Sequence, residues 1–445
     1  MKQLIALSVF ILTGISCTMT NKESEPLYSQ QMVELRALDN FLSNKKEQQL
    51  ETAHWDYVPG LVANAVIKAW QQYPDKTKYY DAVKRYADHC LQGQDTIKVG
   101  ESNIDDLAAG KIFFALYKKE MENGNSDDAL RYRNCASFLV DKLKRQHNRI
   151  PASLPGAGGF FHKAVYPNQM WLDGLYMGPA LYAEYYGNFA TDFSPEEKTA
   201  AWSDIALQFK TIHHYTYDAE KQLNYHAWSA TPADSNSFWA RQEAPHLGCS
   251  QEFWGRGMGW YFAALVDVLE WMPAAHSDYA TMRQILQEVA AGLARYQDQA
   301  SGCWYQLLQY DASKTGTMKG DTLNGKVYNA CDKPNYLESS ASGMFTYAYY
   351  KGIRLGLLDK ETYQALAQKA YKGLIEQFVR TNAEGKLDII QSCASAGLGP
   401  AKDLSRTGTF HYYLCGKDVT VTQNEGKAVG PFIMASLEYE LSTQY

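Results

Sequence analysis

The chain has 445 residues and a formal net charge of −6, so no excess of basic residues marks it for nucleic acid. Hydrophobic residues make up 46%, enough for a large core, and the length suits two average domains or one large helical barrel. Aromatic residues reach 13%, with 32 Tyr and 10 Trp, which serves either an aromatic core or flat faces for sugar rings.

The first residues, MKQLIALSVFILTGISC, place one Lys ahead of an apolar run too short for a permanent membrane span. Small residues then lead to Cys17. Residues 1–17 therefore resemble a bacterial lipoprotein signal, with a plain secretory signal as the alternative. Polar residues 18–26 read as a flexible tether and 27–445 as one domain. The expected location is the periplasm or a bacterial membrane surface, with a lipid anchor as the only membrane contact. The eight cysteines are 17, 90, 135, 249, 303, 331, 393 and 415, and none stands in C-x-x-C or His/Cys ligand spacing. No metal site and no cofactor are expected. One or two disulfides suit an exported chain, but spacing does not pair them.

Periodicity near 3.6 residues predicts twelve helices, near 28–45, 58–73, 77–93, 107–121, 126–145, 173–187, 195–213, 257–272, 279–297, 338–355, 360–379 and 428–443. Strand patterns are weak and confined to 303–310 and 410–414. Every second helix opens on a glycine-containing cluster: WDYVPGL, NIDDLAAGK, MWLDGLYMGP, FWGRGMGW, ESSASGM and NEGKAVGP. Small residues let helices crowd, so these six form the expected inner ring of an all-α (α/α)6 barrel of six helical hairpins. The long irregular stretches 146–172, 214–256, 298–337 and 382–427 then gather at one mouth, where six helix N-termini favour an anion. GAGG at 156–159 lacks the strand–turn–helix setting of a dinucleotide site.

Three motifs carry chemistry: GGFFHKAVYPNQMWLDGLYMGP at 158–179, FWGRGMGW at 253–260 and YLESSASGMFTYAYYKGIRLGLL at 336–358. Together with WDYVPGL, NIDDLAAGK, NYHAW and NEGKAVGPFIMA they resemble glycoside hydrolase family 105, the unsaturated rhamnogalacturonyl hydrolases, which are related to the unsaturated glucuronyl hydrolases of family 88. The resemblance runs from about residue 50 to 440. It implies an (α/α)6 barrel and a hydrolase acting on an unsaturated oligosaccharide. A proton is delivered to C4 of a terminal 4,5-unsaturated uronate and water to C5. The hemiketal so formed opens the ring and releases the next sugar. This chemistry needs one well-placed carboxyl rather than the flanking pair of ordinary glycosidases.

By this resemblance Asp173 in WLDG is the general acid/base and Asp105 the second active-site carboxylate, with Asp106 as the alternative. His162, Lys163 and His226 match active-site positions, and Tyr57 a substrate-contacting tyrosine. Read without the family, Asp173 is a helix N-cap, Asp105 and Asp106 a capping pair, His162 and Lys163 a solvated loop, and His226 a structural histidine. Arg256 between Trp254 and Trp260 suits carboxylate binding with sugar stacking, or else anchors a loop. An acid at a helix N-terminus loses its proton easily, so Asp173 is expected to be held up by burial and by Asp105 or Asp106. Glu338 is expected to secure the N-terminus of its helix. Met258 departs from the family, where a polar Asn is common. A non-catalytic glycan-binding lipoprotein, or a different barrel enzyme such as a sugar epimerase or conventional glycosidase, remains open at this point.

Overall fold

A computed structural model describes residues 27–43, 46–323 and 326–443, so the signal and tether readings, Cys17 included, lie outside the described residues. The molecule is mostly helical. The helices in chain order are α1 (Tyr28–Met32), α2 (Tyr57–Gln72), α3 (Thr77–Leu91), α4 (Ile112–Glu122), α5 (Ser126–Asp141), α6 (Leu172–Met177), α7 (Pro179–Asn188), α8 (Pro195–Thr216), α9 (Gly255–Trp271), α10 (Tyr279–Arg295), α11 (Ser339–Arg354), α12 (Lys360–Phe378), α13 (Phe410–Cys415) and α14 (Gly426–Ser442).

Four expectations need correction. The first helix does not reach 45: after α1 a π-helical turn, Val33–Ala37, ends it, and Phe41–Ser43 pairs antiparallel with Lys46–Gln48. The helix expected from 107 is entered through a 3-10 segment, Ile104–Lys111, which carries NIDDLAAGK. The helix over 173–187 is two, because Pro179 supplies no N–H and α7 restarts there. Neither strand reading holds: residues 410–414 form α13, and 303–310 makes only isolated bridges at Tyr305 and Leu307. All five side chains, Phe410 to Leu414, are buried, so the stretch has no exposed face by which a half-buried strand could be told from a helix.

Helix packing follows the small residues. α2 lies against the 3-10 segment, where a Cβ on Gly60 would stand 2.3 Å from that of Ala109, so only glycine permits the approach. That segment packs on α6, α6 and α7 pack on α9, α9 on α11, α11 on α14, and α14 on α2. These helices are buried nearly all round, as α9, α11 and α14 show. α3, α5, α8, α10 and α12 pack on one side and keep an exposed polar face. Among the described residues one disulfide, Cys331–Cys415, ties the segment before α11 to α13, with a Cα–Cα distance of 6.1 Å.

Two short pairings place the functional segments. Gln169–Trp171 pairs antiparallel with Ala227–Ser229, with Trp171 opposite Ala227. Leu172 N–H continues this ladder to the His226 carbonyl at 3.0 Å. Asp173 and His226 thus emerge side by side from the end of one two-stranded ladder. A bridge between Asn103 and Lys163, with Ile104 N–H donating to the His162 carbonyl, does the same for Asp105.

Candidate active site

A cavity of about 250 Å³ is lined by Asp56, Tyr57, Asp105, His162, Lys163, Tyr166, Trp171, Asp173, Met177, Ser395, Ala396 and Arg406. Five of the ten residues singled out in the sequence, Tyr57, Asp105, His162, Lys163 and Asp173, lie in this lining, and His226 stands directly behind it.

Asp173 is buried in the first turn of α6 and caps nothing: the N-cap is Trp171, without a side-chain bond. Its Oδ2 lies 2.9 Å from His226 Nε2. A carboxylate only accepts, so Nε2 donates. The other ring nitrogen lies 2.7 Å from the Tyr413 hydroxyl, which donates to the neutral ring and accepts from the imidazolium. His226 is fully buried, and Trp254 and Trp171 pack around its ring. Burial opposes the ionisation of Asp173, but the charge and hydrogen bond of His226, with His162 beyond, outweigh it and hold the carboxyl below its ordinary value. The expectation of a raised Asp173 is therefore corrected. The histidine pair, not a neighbouring carboxylate, sets the sign.

Asp105 Oδ2 pairs with Lys163 Nζ at 2.6 Å. Burial works against the Lys163 charge, and Asp105 overrides it, so the ammonium titrates above its usual range. Asp105 Oδ1 lies 3.7 Å from His162 Nε2 and is buried without a hydrogen bond among the described residues. The His162 ring stacks on Trp171 at 4.3 Å, and burial pushes its pKa down to about 4 against the pull of Asp105, so it is neutral at pH 7. Asp56 caps α2 through Val58 N–H at 2.9 Å, and burial lifts its carboxyl above the usual range. Tyr57, the first residue of α2, is half-buried beside Trp260.

Asp106 does not line the cavity. Its carboxylate accepts from Gly100 N–H and from Asn103 Nδ2, both at 2.7 Å, and closes its own loop. Arg256 and Trp260 share a face of α9, as their spacing requires, yet neither reaches the cavity. Arg256 is buried, lies 4.7 Å from the Trp254 ring, and donates to the Cys393 carbonyl at 2.5 Å and to Ser340 Oγ at 3.3 Å. Trp260 packs on Tyr176, and Trp254 stacks on Tyr413. Their large side chains are spent in the core that supports the site. Sequence reasoning missed Tyr413, Arg406, Asp56 and Tyr166. Asp56 was within reach, one residue from Tyr57 in WDY, whereas Tyr413 meets His226 across 187 positions and had no local mark.

The profile of Glycosyl Hydrolase Family 88 matches residues 31–318 and 324–443. The chain belongs to the family 88 and 105 glycoside hydrolases. A family 105 glycoside hydrolase from C. acetobutylicum ATCC 824 superposes with a TM-score of 0.76 and 33% identity, over 94% of this chain and 100% of that one. Unsaturated glucuronyl hydrolase from Streptococcus agalactiae shares the fold at 11% identity and a TM-score of 0.59, over 92% and 90% of the two chains. Among curated relatives, Protein Atu3128 of Agrobacterium fabrum is 34% identical over 206 residues, covering 46% of this chain and 77% of that protein. Unsaturated rhamnogalacturonyl hydrolase YesR of Bacillus subtilis is 23% identical over 264 residues, covering 59% and 67%. Family membership makes the chain a glycoside hydrolase, and the cavity around Asp173 is its candidate active site.

Proposed function

We propose that this family member removes a terminal 4,5-unsaturated uronic acid from oligosaccharides left by polysaccharide lyases, by hydrating the C4=C5 bond. The observation that carries this reading is the Asp173–His226–Tyr413 chain: one buried carboxyl, hydrogen-bonded to an imidazole, facing a cavity that also holds cations. In the free site Asp173 is ionised. An anionic uronate entering beside it displaces water and adds negative charge, and both effects raise the affinity of Asp173 for a proton. That proton comes from solvent as the substrate enters, while His226 Nε2–H keeps its own proton and holds the carboxyl in place by its hydrogen bond. Asp173 then gives the solvent-derived proton to C4, and as a carboxylate again it takes one from the water that adds to C5. Collapse of the C5 hemiketal breaks the bond from C5 to the ring oxygen and leaves a ketone at C5 and a hemiacetal at C1. Collapse of that hemiacetal breaks the C1–O bond, leaves an aldehyde and frees the neighbouring sugar as an alcohol. Asp105, tied to Lys163, is the second acidic group near the ring. The helix neighbours, α2 to the 3-10 segment and on through α6, α9, α11 and α14, fit the inner ring of a six-hairpin (α/α)6 barrel.

The test is a panel of lyase products from pectic, ulvan and glycosaminoglycan sources, followed by loss of the ultraviolet absorbance of the conjugated enol-carboxylate. Asp173→Asn should lower kcat by about 10²-fold or more, since general acid/base catalysis is worth about 10²–10⁴. Full activity in that variant, or turnover of saturated glycosides in place of unsaturated ones, would overturn the mechanism.

We further propose export with lipid attachment at Cys17. The Cys331–Cys415 disulfide is in keeping with an oxidising compartment. Incorporation of a labelled fatty acid should vanish in Cys17→Ala. Label retained in that variant would exclude this anchor.

A further inference from the structure

The cavity needs a group that recognises acidity, and the residues first expected to do so are occupied. Lys163 is bound to Asp105 at 2.6 Å, and the Arg256 guanidinium is committed to Cys393 and Ser340 outside the lining. A third cation lines the cavity. Arg406 lies on the segment 394–409 between the strand Ser392–Cys393 and α13, which no motif in the sequence covered.

Its guanidinium is built in from behind. Nε donates to the Tyr412 hydroxyl at 3.3 Å and lies 3.1 Å from Asp418 Oδ2. The Tyr412 hydroxyl also accepts from Gly397 N–H at 3.0 Å and donates to Asp418 at 3.2 Å. Nη1 makes only a long contact of 3.5 Å with the Tyr166 hydroxyl. Nη2 donates no hydrogen bond within the described residues, and it packs so close to Gly397 that a Cβ there would stand 2.4 Å away. The back of the fork is held and its terminal nitrogens are left underused. A planar fork whose Nη2 donates to nothing among the described residues, and whose Nη1 is held only by that long contact, matches a carboxylate in a way that a single ammonium does not. The cavity, about 250 Å³, is on the scale of one sugar ring, so the anion it meets is the carboxylate of the ring that also meets Asp173.

We infer that Arg406 is the specificity-determining residue that holds the C6 carboxylate of the uronate, so that Asp173 faces the C4=C5 edge. This rests on the function proposed above, and the experiment separates the two. Unsaturated uronyl disaccharides are supplied as the free acid and as the C6 methyl ester to wild type, Arg406→Met, Arg406→Lys and Lys163→Met. The wild type should prefer the acid by about tenfold or more in kcat/KM, the range of a charge-assisted contact. In Arg406→Met the acid-to-ester ratio should fall to about one. Arg406→Lys keeps the charge without the fork and should give an intermediate ratio, and Lys163→Met should keep a clear preference. A ratio unchanged in Arg406→Met and Arg406→Lys, or erased only in Lys163→Met, overturns the assignment. Binding of galacturonate against galactose, measured calorimetrically on the same proteins, reads Arg406 without turnover. If the wild type cleaves no unsaturated uronide, the proposed function fails. The acid preference lost on binding in Arg406→Met still supports the contact, and its persistence refutes it.

Discussion

At the scale of single residues the site is governed by one hydrogen-bonded chain. The Tyr413 hydroxyl meets His226 Nδ1 at 2.7 Å, and His226 Nε2 meets Asp173 at 2.9 Å. Burial pushes the Tyr413 hydroxyl well above its usual pKa, so it stays a neutral phenol throughout the working range. Its role is to orient the imidazole. Tyr413→Phe removes one hydrogen bond of about 1 kcal/mol, so kcat should fall roughly fivefold to tenfold with little change in KM. The acid limb of the pH–rate profile should move as well, because the His226 hydrogen bond that lowers Asp173 is then held less firmly. Steady-state kinetics across pH would check this, and an unchanged profile would reduce Tyr413 to a packing residue. Asp173 is a lowered carboxyl: in the free protein its charge persists as pH falls until its depressed pKa is reached.

At the scale of elements, Glu338 shows how one side chain fixes a helix and a loop together. It accepts from Ser340 N–H at 3.2 Å and Ala341 N–H at 2.8 Å, capping α11 as its sequence position led one to expect. It also accepts from Cys393 N–H at 2.8 Å, which the sequence did not indicate. The residue is fully buried. Glu338→Gln would turn an acceptor toward these N–H groups into a donor, leaving at least one buried group unpaired. The loss should be about 1–3 kcal/mol of unfolding free energy, measured in urea. Because Cys393 also takes the hydrogen bond of Arg256 and leads into the segment carrying Arg406, affinity for substrate should weaken too. The α11 cap was legible because capping is local. The tie to residue 393 was not, because it spans 55 positions.

At the scale of the whole molecule, α9, α11 and α14 share a second charged layer away from the cavity. Lys351 Nζ meets Asp267 at 2.7 Å and Glu270 at 2.8 Å, linking α11 to α9. Arg354 pairs with Glu438 at 2.7 Å, linking α11 to α14. Lys111, at the start of α4, is the least satisfied member. Its Nζ has no hydrogen bond among the described residues, sits 3.8 Å from Asp267 and lies 3.4 Å from the Tyr176 ring centroid. Burial pushes its pKa down to about 8 from 10.5, against the pull of Asp267. Below about 8 the ammonium is charged in folded and unfolded chains alike, and its burial cost is felt in full. Between about 8 and 10.5 the folded protein gives up a proton that the unfolded chain keeps, so stability rises with pH there. The shift is worth about 3 kcal/mol. Lys111→Met lacks this term. Relative to that variant, the wild type should gain up to about 3 kcal/mol in unfolding free energy between about pH 7 and about pH 10.5. Parallel denaturation at the two pH values would show no such gain if Lys111 were solvated.

By itself the sequence determined the helical class, most helix positions and the family, and it singled out Asp173, Asp105, His162, Lys163 and Tyr57, which the fold brings to one cavity. Those features are written locally, in a repeated 3.6-residue period and in short motifs whose order survives in one dimension. Tertiary structure alone decided the rest. Asp173 became a partner of His226 rather than a cap because a three-residue ladder sets two segments 53 positions apart in register. It also became an acid held low rather than high, since proximity of the imidazole outweighs burial. Arg256, Trp254 and Trp260 lie outside the cavity lining, while Arg406 lines it and Tyr413 backs His226 from a segment with no motif. Which side of a helix faces a cavity, and which loop closes over it, depends on how distant elements pack, and no local pattern encodes that.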